Sequence, residues 1–340
     1  MNTILVLTAL ELERKAVLEH LENIQDESHP ETKTDYKIGY YNSPRGKIKV
    51  VAGITDQTNV NAGIETERAL THFSPTHAFF VGVAGGLKDV KVGDIVIGDT
   101  VYGYERGKET DKGFQFRPEF ALSSYDLVRI ANSYGSSEEW KQKTLSLVSS
   151  EFSNPISVFM GTIAAGEKVM ANIDSDTLSF IRTHVSSAYA IEMEGLGFLE
   201  ACRHFSNVKS LLLRGISDLI KGKDGADEKG SQPYASKNVS TFLFGVIDKI
   251  FEVEIVPPNY RESLQDTCQK LYPRGIESRD IWEKAGGYVY EMNINKTGGE
   301  QWYEALKYIE NGGRVTFPSL VKAMKEDFPN HELLKMFFDK

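Results

Sequence analysis

Residues 78–87 read AFFVGVAGGL, and this stretch decides the class of fold. Its first seven residues are apolar or glycine, without the alternation that marks a strand with one face in water. Near-continuous apolar runs of this kind are typical of strands that other elements cover on both faces. Gly85 and Gly86 follow and permit a tight turn. The stretch therefore predicts a central strand that leads into a turn.

Similar runs recur through the first 250 residues or so. The further β-rich runs are 4–7, 47–54, 94–98, 155–163 and 208–216. Helix-like patterns occupy 11–24, 61–73 and 190–202, between these runs. This alternation predicts an α/β domain in which helices cover both faces of a mostly parallel or mixed sheet.

Unusual polar residues follow several of the predicted strands. The run ILVL leads to the acids Glu11 and Glu13, and LLLRGI, which contains Arg214, leads to Ser217 and Asp218. Ligands of open α/β sheets bind outside the carboxyl ends of the strands. The sequence therefore places glycines, acids and one arginine at a single edge of the sheet.

In the stretch AIEMEGLGFLEAC, residues 190–202, it is not obvious which group binds the carboxylate of Glu194. If the whole stretch is helical, Glu194 shares a face with Gly197 and Phe198, where a carboxylate needs a partner. Structural alternatives stay open for each acid: Glu194 as a helix N-terminal acid, Asp218 as a helix cap, and Glu13 as a solvated first-turn acid.

Composition narrows the class of protein. The 340 residues carry 48 acidic against 39 basic side chains, a net charge of −9, which argues against broad binding to nucleic acid. Two cysteines, no apolar run of membrane-spanning length and no signal-like N-terminus predict a cytoplasmic protein without a membrane contact. The seven histidines lack metal-site spacing, so we expect no metal.

Composition changes near residue 253. Pro257 and Pro258 end a helical pattern and begin a stiff segment. We predict a first domain at 1–253, a linker at 254–259 and a small all-α domain at 260–340, which by itself indicates an interaction module. The predicted helices of that domain lie in 263–272, 278–286, 300–313 and 316–328.

Residues 2–252 resemble the nucleoside phosphorylase and nucleosidase superfamily, which includes methylthioadenosine/S-adenosylhomocysteine nucleosidases. The motifs, in order, are TALELE (8–13), AGIT (52–55), NVNAG (59–63), VGVAGGL (81–87), VGDIVIGD (92–99), GTIAAGEKVM (161–170), AIEMEG (190–195) and RGISD (214–218). The resemblance implies a three-layer sandwich around a mixed β-sheet and a purine nucleoside as substrate.

The same resemblance implies roles for particular residues. Glu194 would accept hydrogen bonds from the ribose hydroxyls, and Asp218 would protonate purine N7 as general acid. Glu13 would position or deprotonate the attacking water with Arg214 nearby. Met193 would pack against the sugar, and Val169 and Met170 would line the purine. The other substrate-binding residues implied are Glu192, Gly85 and Ser217. No cofactor and no metal is required.

Three departures indicate a branch of the family. TALELE is acidic where purine phosphorylases carry a phosphate-binding arginine, which favours water as the nucleophile. Val83 replaces the serine of methylthioadenosine nucleosidases, and a polar insertion, 219–236, ends in QPYA. GTIAAG together with this QPYA segment resembles the nucleosidase branch that is fused to signalling and defence proteins, whose members cleave adenine from ATP and related nucleotides.

Four basic residues could then meet a 5′ polyphosphate, although a solvated loop is the structural alternative. They are Arg106, Lys168, Lys221 and Lys223.

Residues 260–340 resemble the effector-associated domain of type 1, a small death-like helical adaptor. The resemblance implies contacts with a like domain on a protein partner, and we expect Trp282 and Trp302 in its core. We predict a homo-oligomeric purine nucleosidase, acting on ATP or related adenine nucleotides as an effector of a bacterial antiviral defence system. The alternatives are a housekeeping methylthioadenosine/S-adenosylhomocysteine nucleosidase, a purine nucleoside phosphorylase, or a non-catalytic nucleotide-sensing scaffold.

Overall fold

The computed structural model describes residues 3–44, 46–111, 113–148, 152–153, 155–169, 175–219, 230–251, 260–310, 313–331 and 334. The chain divides into two compact units, Met1–Val253 and Glu254–Lys340. The predicted linker, 254–259, lies outside the described residues. Within the described residues, no helix is both long and apolar enough to cross a membrane.

The first unit alternates strands and helices. Its strands are β1 Thr3–Thr8, β2 Glu22–Ser28, β3 Asp35–Ser43, β4 Gly46–Ile54, β5 His77–Gly86, β6 Ile95–Gly103, β7 Gly107–Thr110, β8 Gly113–Phe116, β9 Glu119–Leu122, β10 Val158–Ala165, β11 Ala190–Glu192 and β12 Lys209–Leu219. Its helices are α1 Glu11–Leu18, α2 Asn59–Phe73, α3 Tyr125–Gly135, α4 Glu138–Leu145, α5 Asp176–His184, α6 Gly195–Arg203 and α7 Ser231–Ile250.

Most of the strands belong to one mixed sheet, as predicted. Its order is β11-β10-β6-β12-β5-β1-β4-β3-β2, with β9 alongside β6. Strands β12, β5, β1 and β4 are parallel, whereas β12 and β6 are antiparallel. Because β11 pairs with β10 and also with β5, the strands β5, β12, β6, β10 and β11 close into a ring. The carboxyl ends of β1, β5 and β12 meet at one side of this ring.

Helices cover both faces of the sheet, which confirms the three-layer prediction. On one face Ile4 belongs to a core with Phe242 of α7 and side chains of α1, α3 and α4. On the other face Leu5 packs in a core with Phe198 of α6 and side chains of α2. Adjacent residues of β1 thus point into different cores, which is why the strand is apolar at every position from Ile4 to Leu7.

Two predicted helices are partly wrong. The helix predicted over 11–24 ends at Leu18, and Glu22–Ser28 forms β2, because this exposed polar segment pairs with β3 instead of burying a helical face. The helix predicted over 190–202 begins only at Gly195. Its first residues form β11, whose backbone hydrogen bonds go to the neighbouring strands.

The polar insertion predicted at 219–236 also differs in the structure. Leu219 ends β12, and Ser231 already begins α7. Residues 220–229 of the insertion lie outside the described residues. The QPYA segment is therefore part of a helix of 20 residues.

The described residues of the second unit form helices and no strand, as predicted. Its helices are α8 Tyr260–Leu271, α9 Ile281–Lys284, α10 Gly298–Glu310 and α11 Phe317–Asp327, with 3₁₀ turns at Ser278–Asp280 and Val289–Glu291. Trp282 and Trp302 are fully buried in its core, so that prediction is confirmed. The indole N–H of Trp302 donates to the carbonyl of Tyr272 at 3.0 Å, which satisfies the buried donor.

Candidate active site

A cavity of about 120 Å³ lies at the carboxyl ends of β1, β5, β11 and β12. This is the edge of the sheet at which the sequence places its acids and glycines. The predicted site residues that line the cavity are Glu13, Gly85, Val169, Glu192, Met193, Glu194, Ser217 and Asp218. Arg214 lies behind this surface and is not itself among the described lining residues. Met170 lies outside the described residues.

Glu13 ties the end of β1 to the end of β5. It lies in the first turn of α1, where Oε2 accepts from the backbone N–H groups of Ala9 and Leu10, each at 2.9 Å. Oε1 accepts from the N–H of Val83 at 2.7 Å. Burial raises the pKa of Glu13, while Arg214 and the three N–H groups oppose that rise. Because the side chain is buried, the interpretation of Glu13 as a solvated acid is wrong.

Glu192 and Glu194 divide two tasks between them at the start of α6. Glu194 is the N-cap residue of the helix, so it precedes the helical face on which the sequence analysis placed it. Oε2 of Glu192 accepts from the N–H groups of Glu194 at 3.0 Å and Gly195 at 2.7 Å. Glu192 therefore satisfies N–H groups at the start of the helix, and the carboxylate of Glu194 is left to face the cavity.

The carboxylate of Glu194 is held from two sides. Oε2 lies 3.0 Å from Nη2 of Arg214, and Oε1 accepts from the N–H of Thr58 at 3.4 Å. Burial raises the pKa of Glu194 to about 7, with Arg214 opposing and the nearby Glu192 and Glu13 adding to the rise. A carboxylate that titrates near neutrality makes ligand binding sensitive to pH.

Arg214 is the fully buried centre of this group of acids. Its Nη2 bonds Glu192 as well as Glu194, and its guanidinium carbon lies 4.7 Å from the ring centroid of Phe80. Burial lowers the pKa of Arg214, but the surrounding carboxylates outweigh that effect and raise it. Three buried carboxylates thus surround one guanidinium, which leaves excess negative charge beside the cavity.

Gly82 makes this arrangement sterically feasible. A Cβ atom at position 82 would lie 2.6 Å from Oε1 of Glu13 and would also overlap Nη1 of Arg214. The backbone of β5 can approach both charged groups only because residue 82 has no side chain. The glycine-rich block VGVAGGL therefore serves close packing. The tight turn predicted at Gly85 and Gly86 is wrong, because both residues continue β5 and pair with β11.

Asp218 and Ser217 face the cavity from the end of β12. The pairing of β12 with β5 shifts register between Ile216 and Asp218, so two successive residues line the cavity. The hydroxyl of Ser217 donates to Oδ2 of Asp218 at 3.0 Å. Asp218 is buried on the strand and is not a helix cap, so that alternative is wrong.

Lys168 supplies a cation at the edge of the cavity. Its side chain is 71% exposed, and Nζ lies 3.5 Å from Oε1 of Glu105. Arg106, also considered for phosphate contact, pairs instead with Glu119 and is not among the described lining residues. Lys221 and Lys223 lie outside the described residues.

Gln57 and Gln232 also line the cavity, although neither was predicted to belong to the site. Both lie within or beside the motifs quoted above, but a single glutamine does not reveal in the sequence that its amide faces a cavity. Among the described residues, no group of three or more His, Cys, Asp or Glu side chains is placed to hold a metal ion.

Comparison with known families agrees with both resemblances. The model of the phosphorylase superfamily matches residues 3–252, well over half of the chain. The model of effector-associated domain 1 matches residues 256–340. Both resemblances found in the sequence are therefore confirmed.

Two individual relatives are less than 30% identical to this chain over the matched residues. ATP nucleosidase Cap17 of Escherichia coli (strain KTE188) is 27% identical over 233 residues, which cover 64% of this chain and 46% of that protein. The chain thus spans about half the length of that relative. The 5′-methylthioadenosine/S-adenosylhomocysteine nucleosidase of Haemophilus influenzae (strain PittGG) is 29% identical over 201 residues, 56% of this chain and 77% of that protein.

A solved structure shares the fold. The 5′-methylthioadenosine/S-adenosylhomocysteine nucleosidase from Helicobacter pylori with butyl-thio-DADMe-Immucillin-A superposes with a TM-score of 0.60 at 22% identity. The match covers 73% of this chain and 99% of that one.

Proposed function

This chain belongs to the phosphorylase superfamily, and we propose that it is a purine nucleosidase that hydrolyses the N-glycosidic bond of adenine nucleotides. The observation that carries the proposal is the buried group of Glu13, Glu194 and Arg214, which faces the same cavity as Asp218. Three buried acids at one cavity would be costly in a protein that did not use them.

Departure of the base begins the reaction. The bond between C1′ of the ribose and N9 of the base breaks, and its electron pair goes to the base. Asp218 donates a proton to N7, so the base leaves without a full negative charge. Ser217 donates to Oδ2 of Asp218 at 3.0 Å and orients the carboxyl group for that transfer.

The sugar becomes an oxocarbenium-like cation as the bond breaks. Glu194 accepts hydrogen bonds from the ribose 2′ and 3′ hydroxyls, and Met193 packs against the ring. The excess negative charge around Arg214 stabilises the positive charge that develops on the ribose. Arg214 acts through the carboxylates it positions, since it does not line the cavity itself.

Water completes the reaction. Its oxygen forms the new bond to C1′, and Glu13 takes the proton that is released. The three backbone N–H groups fix the direction of the Glu13 carboxylate, and the raised pKa makes it a better base than an exposed glutamate. Glu13 then releases its proton to solvent and Asp218 takes one up, which restores the starting protonation states.

Water suits this cavity better than phosphate. Glu13, Glu192 and Glu194 repel an anion from the face of the sugar at which the nucleophile would arrive. The guanidinium of Arg214 is already bonded to two of these carboxylates. We therefore prefer hydrolysis to the phosphorylase alternative.

A nucleotide is preferred over a thioether nucleoside as substrate. Lys168 at the cavity edge can meet a 5′ phosphate, and Gln57 and Gln232 add polar groups to the lining. The similarity to an ATP nucleosidase supports this choice, whereas the similarity to methylthioadenosine nucleosidases supports the thioether alternative.

The C-terminal unit suggests regulation by a protein partner. We propose that 1–253 is the catalytic domain, that 254–259 is a linker, and that 260–340 recruits a protein with a matching effector-associated domain. The match of residues 256–340 to that domain supports this assignment. In this proposal the protein is a cytoplasmic homo-oligomer and an effector of antiviral defence.

Free base release, measured by chromatography, tests the proposed reaction. The full chain is incubated with ATP, dATP, AMP, adenosine, methylthioadenosine and inosine in parallel, with and without phosphate. We expect adenine from ATP in the absence of phosphate. Release from methylthioadenosine alone would instead establish the salvage activity, and release that requires phosphate would establish a phosphorylase. No release from any substrate, with or without the matching partner, would favour a nucleotide-binding scaffold.

A further inference from the structure

We propose that Asn59 is a positioning residue that sets the distance between the base-binding and ribose-binding sides of the cavity. Its side chain joins the segment after β10 to the first turn of α6. The assignment of these two sides rests on the proposed function, in which Glu194 binds the ribose and Val169, which the family resemblance implies to line the purine, contacts the base. The joint itself rests only on the geometry of the protein.

Both ends of the Asn59 amide are used. Asn59 is the first residue of α2 and is only 9% exposed. Its Nδ2 donates to the carbonyl of Gly166 at 3.0 Å, and its Oδ1 accepts from the N–H of Gly197 at 3.1 Å. Only this orientation of the amide satisfies both partners, since a carbonyl cannot donate and an N–H cannot accept.

The two partners belong to opposite sides of the cavity. Gly166 directly precedes the segment that contributes Lys168 and Val169 to the lining. Gly197 lies in the first turn of α6, whose N-cap residue is Glu194. A change in the length or direction of the Asn59 side chain would therefore alter the separation of the two sides.

The backbone around Asn59 is fixed closely enough to make this control effective. A Cβ atom at Gly197 would overlap the carbonyl oxygen of Asn59, so α2 and α6 are in direct backbone contact there. Thr58 has φ 94° and ψ 147°, a conformation that is unfavourable for a β-branched residue. Its N–H donates to Glu194 at 3.4 Å, so the strained segment also contacts the carboxylate assigned to ribose.

A purely structural role is the competing explanation. In that case the Asn59 amide would stabilise the packing of α2 on α6 and would have no particular effect on the segment at 166–169. The two explanations differ in what happens when only the bond to Gly166 is lost. Asn59→Asp makes that change, because it keeps an acceptor for Gly197 and replaces the donor to Gly166 with oxygen.

Asn61→Asp provides a matched control. Asn61 lies in the same turn of α2 and also donates to a backbone carbonyl, that of Gln57, at 2.9 Å. It is exposed, and its bond joins no two sides of the cavity. The two variants introduce the same charge in the same helical turn.

Hydrogen exchange of the ligand-free protein tests the joint, by which we mean the two hydrogen bonds of the Asn59 side chain to Gly166 and Gly197, without requiring turnover. We expect the amides of Gly166 and Glu167, which bond Glu192 and Glu105, to exchange about tenfold faster in Asn59→Asp, the factor typical of one lost buried hydrogen bond. The amide of Gly197 should stay protected in Asn59→Asp and lose protection in Asn59→Ala, which removes both bonds. Asn61→Asp should leave all three unchanged.

Adenine affinity, measured by calorimetry, then tests the consequence for the base. We expect Asn59→Asp to weaken adenine binding about tenfold, with a rise in KM for the substrate that exceeds the fall in kcat. Exchange at 166–167 equal in Asn59→Asp and Asn61→Asp would overturn the proposal. So would a lower unfolding temperature of Asn59→Asp with adenine affinity unchanged, because that result indicates packing alone.

The outcomes separate this proposal from the proposed function. If the exchange pattern is as expected but adenine does not bind the parent protein, the joint stands and the nucleosidase assignment fails. If adenine is released and bound but exchange at 166–167 is the same in Asn59→Asp and Asn61→Asp, the nucleosidase assignment stands and the proposal for Asn59 fails. Should Asn59→Asp not fold, Asn59→Ala, which removes both bonds, still tests the proposal without burying a charge: the amides of Gly166 and Glu167 should exchange faster together with that of Gly197, and unchanged exchange at 166–167 would overturn it.

Discussion

The floor of the cavity and its rim are held in very different ways. The floor, formed by Glu13 and Glu194 with Arg214 behind them, is buried, and each carboxylate accepts from at least one backbone N–H group and lies near the guanidinium. The rim carries Lys168, an exposed side chain with one ion pair at 3.5 Å. Groups fixed in a dry environment suit charge stabilisation in a transition state, whereas an exposed lysine at the edge suits a weak contact that only a substrate with a 5′ phosphate makes. The floor should therefore govern rate, and the rim should govern the choice of substrate.

The largest effect is expected from Asp218→Asn. This change removes the proton donor but keeps the size of the side chain, so base release should fall about a thousandfold or more. Adenine nucleotide affinity, measured by equilibrium dialysis, should change little, because Glu194 still holds the ribose. Turnover at the parent rate would show that Asp218 is not the general acid.

Glu194→Ala should impair both rate and binding. The ribose hydroxyls lose their acceptor, and Arg214 keeps only Glu192 and the more distant charge of Glu13, so we expect about a hundredfold weaker substrate affinity. Glu194→Gln is the matched control, since it keeps an acceptor oxygen and should lie between the parent and Glu194→Ala. Affinity that is the same in all three proteins would contradict the ribose role.

Gly82→Ala tests how tightly the floor is packed. The added methyl group would displace Glu13 and Arg214, so the free energy of unfolding should fall by about 1–3 kcal/mol, as is usual for overpacking. Gly63→Ala in α2 is the control, because its Cβ would meet the nearest atom, the carbonyl oxygen of Gly197, at an ordinary 3.5 Å. In a helix that change should gain up to about 1 kcal/mol. Equal unfolding temperatures for the two variants would show that position 82 has room for a side chain.

The pKa of Glu194, raised to about 7, predicts opposite effects of pH on binding and on stability. Below about pH 7 the protonated carboxyl is a poorer acceptor, so adenosine affinity should fall by up to about tenfold per pH unit. The folded state, in contrast, takes up a proton between the ordinary glutamate range and about 7. Its contribution to stability is therefore fully present at low pH and is lost as pH rises through about 7. Both trends should flatten in Glu194→Gln, as checked by calorimetry and by thermal unfolding across pH 5–8.

A similar contrast between buried and exposed groups explains which elements could be predicted from the sequence. Strands such as β1 and β5 are buried on two faces, so their apolar runs are visible without any partner, and Glu13 and Asp218 follow from their places at the strand ends. Strand β2 is polar and exposed, and its structure comes from pairing with β3, which leaves no signal in its own residues.

Long-range partners were beyond sequence reasoning for the same physical reason. The bond from Thr58 to Glu194 joins residues far apart in the chain and depends on where α2 begins relative to α6. The use of Glu192 as a cap for α6 depends on β11 ending where it does, which local propensity does not indicate. The roles in catalysis were implied by the family resemblance and not by these patterns.

The smallest effect, and the sharpest test of the rim, is expected from Lys168→Ala. An exposed lysine contributes about 0.2–1 kcal/mol to an ionic contact, so KM for ATP should rise by up to about fivefold while KM for adenosine stays the same. The difference should shrink in high salt, because screening weakens exposed charges first. Lys141→Ala, which removes an exposed lysine on α4 paired with Glu138, is the control for a general change in charge. A rise in KM for adenosine equal to that for ATP would show that Lys168 shapes the cavity instead of meeting the phosphate, and the distinction between floor and rim would then fail at this residue.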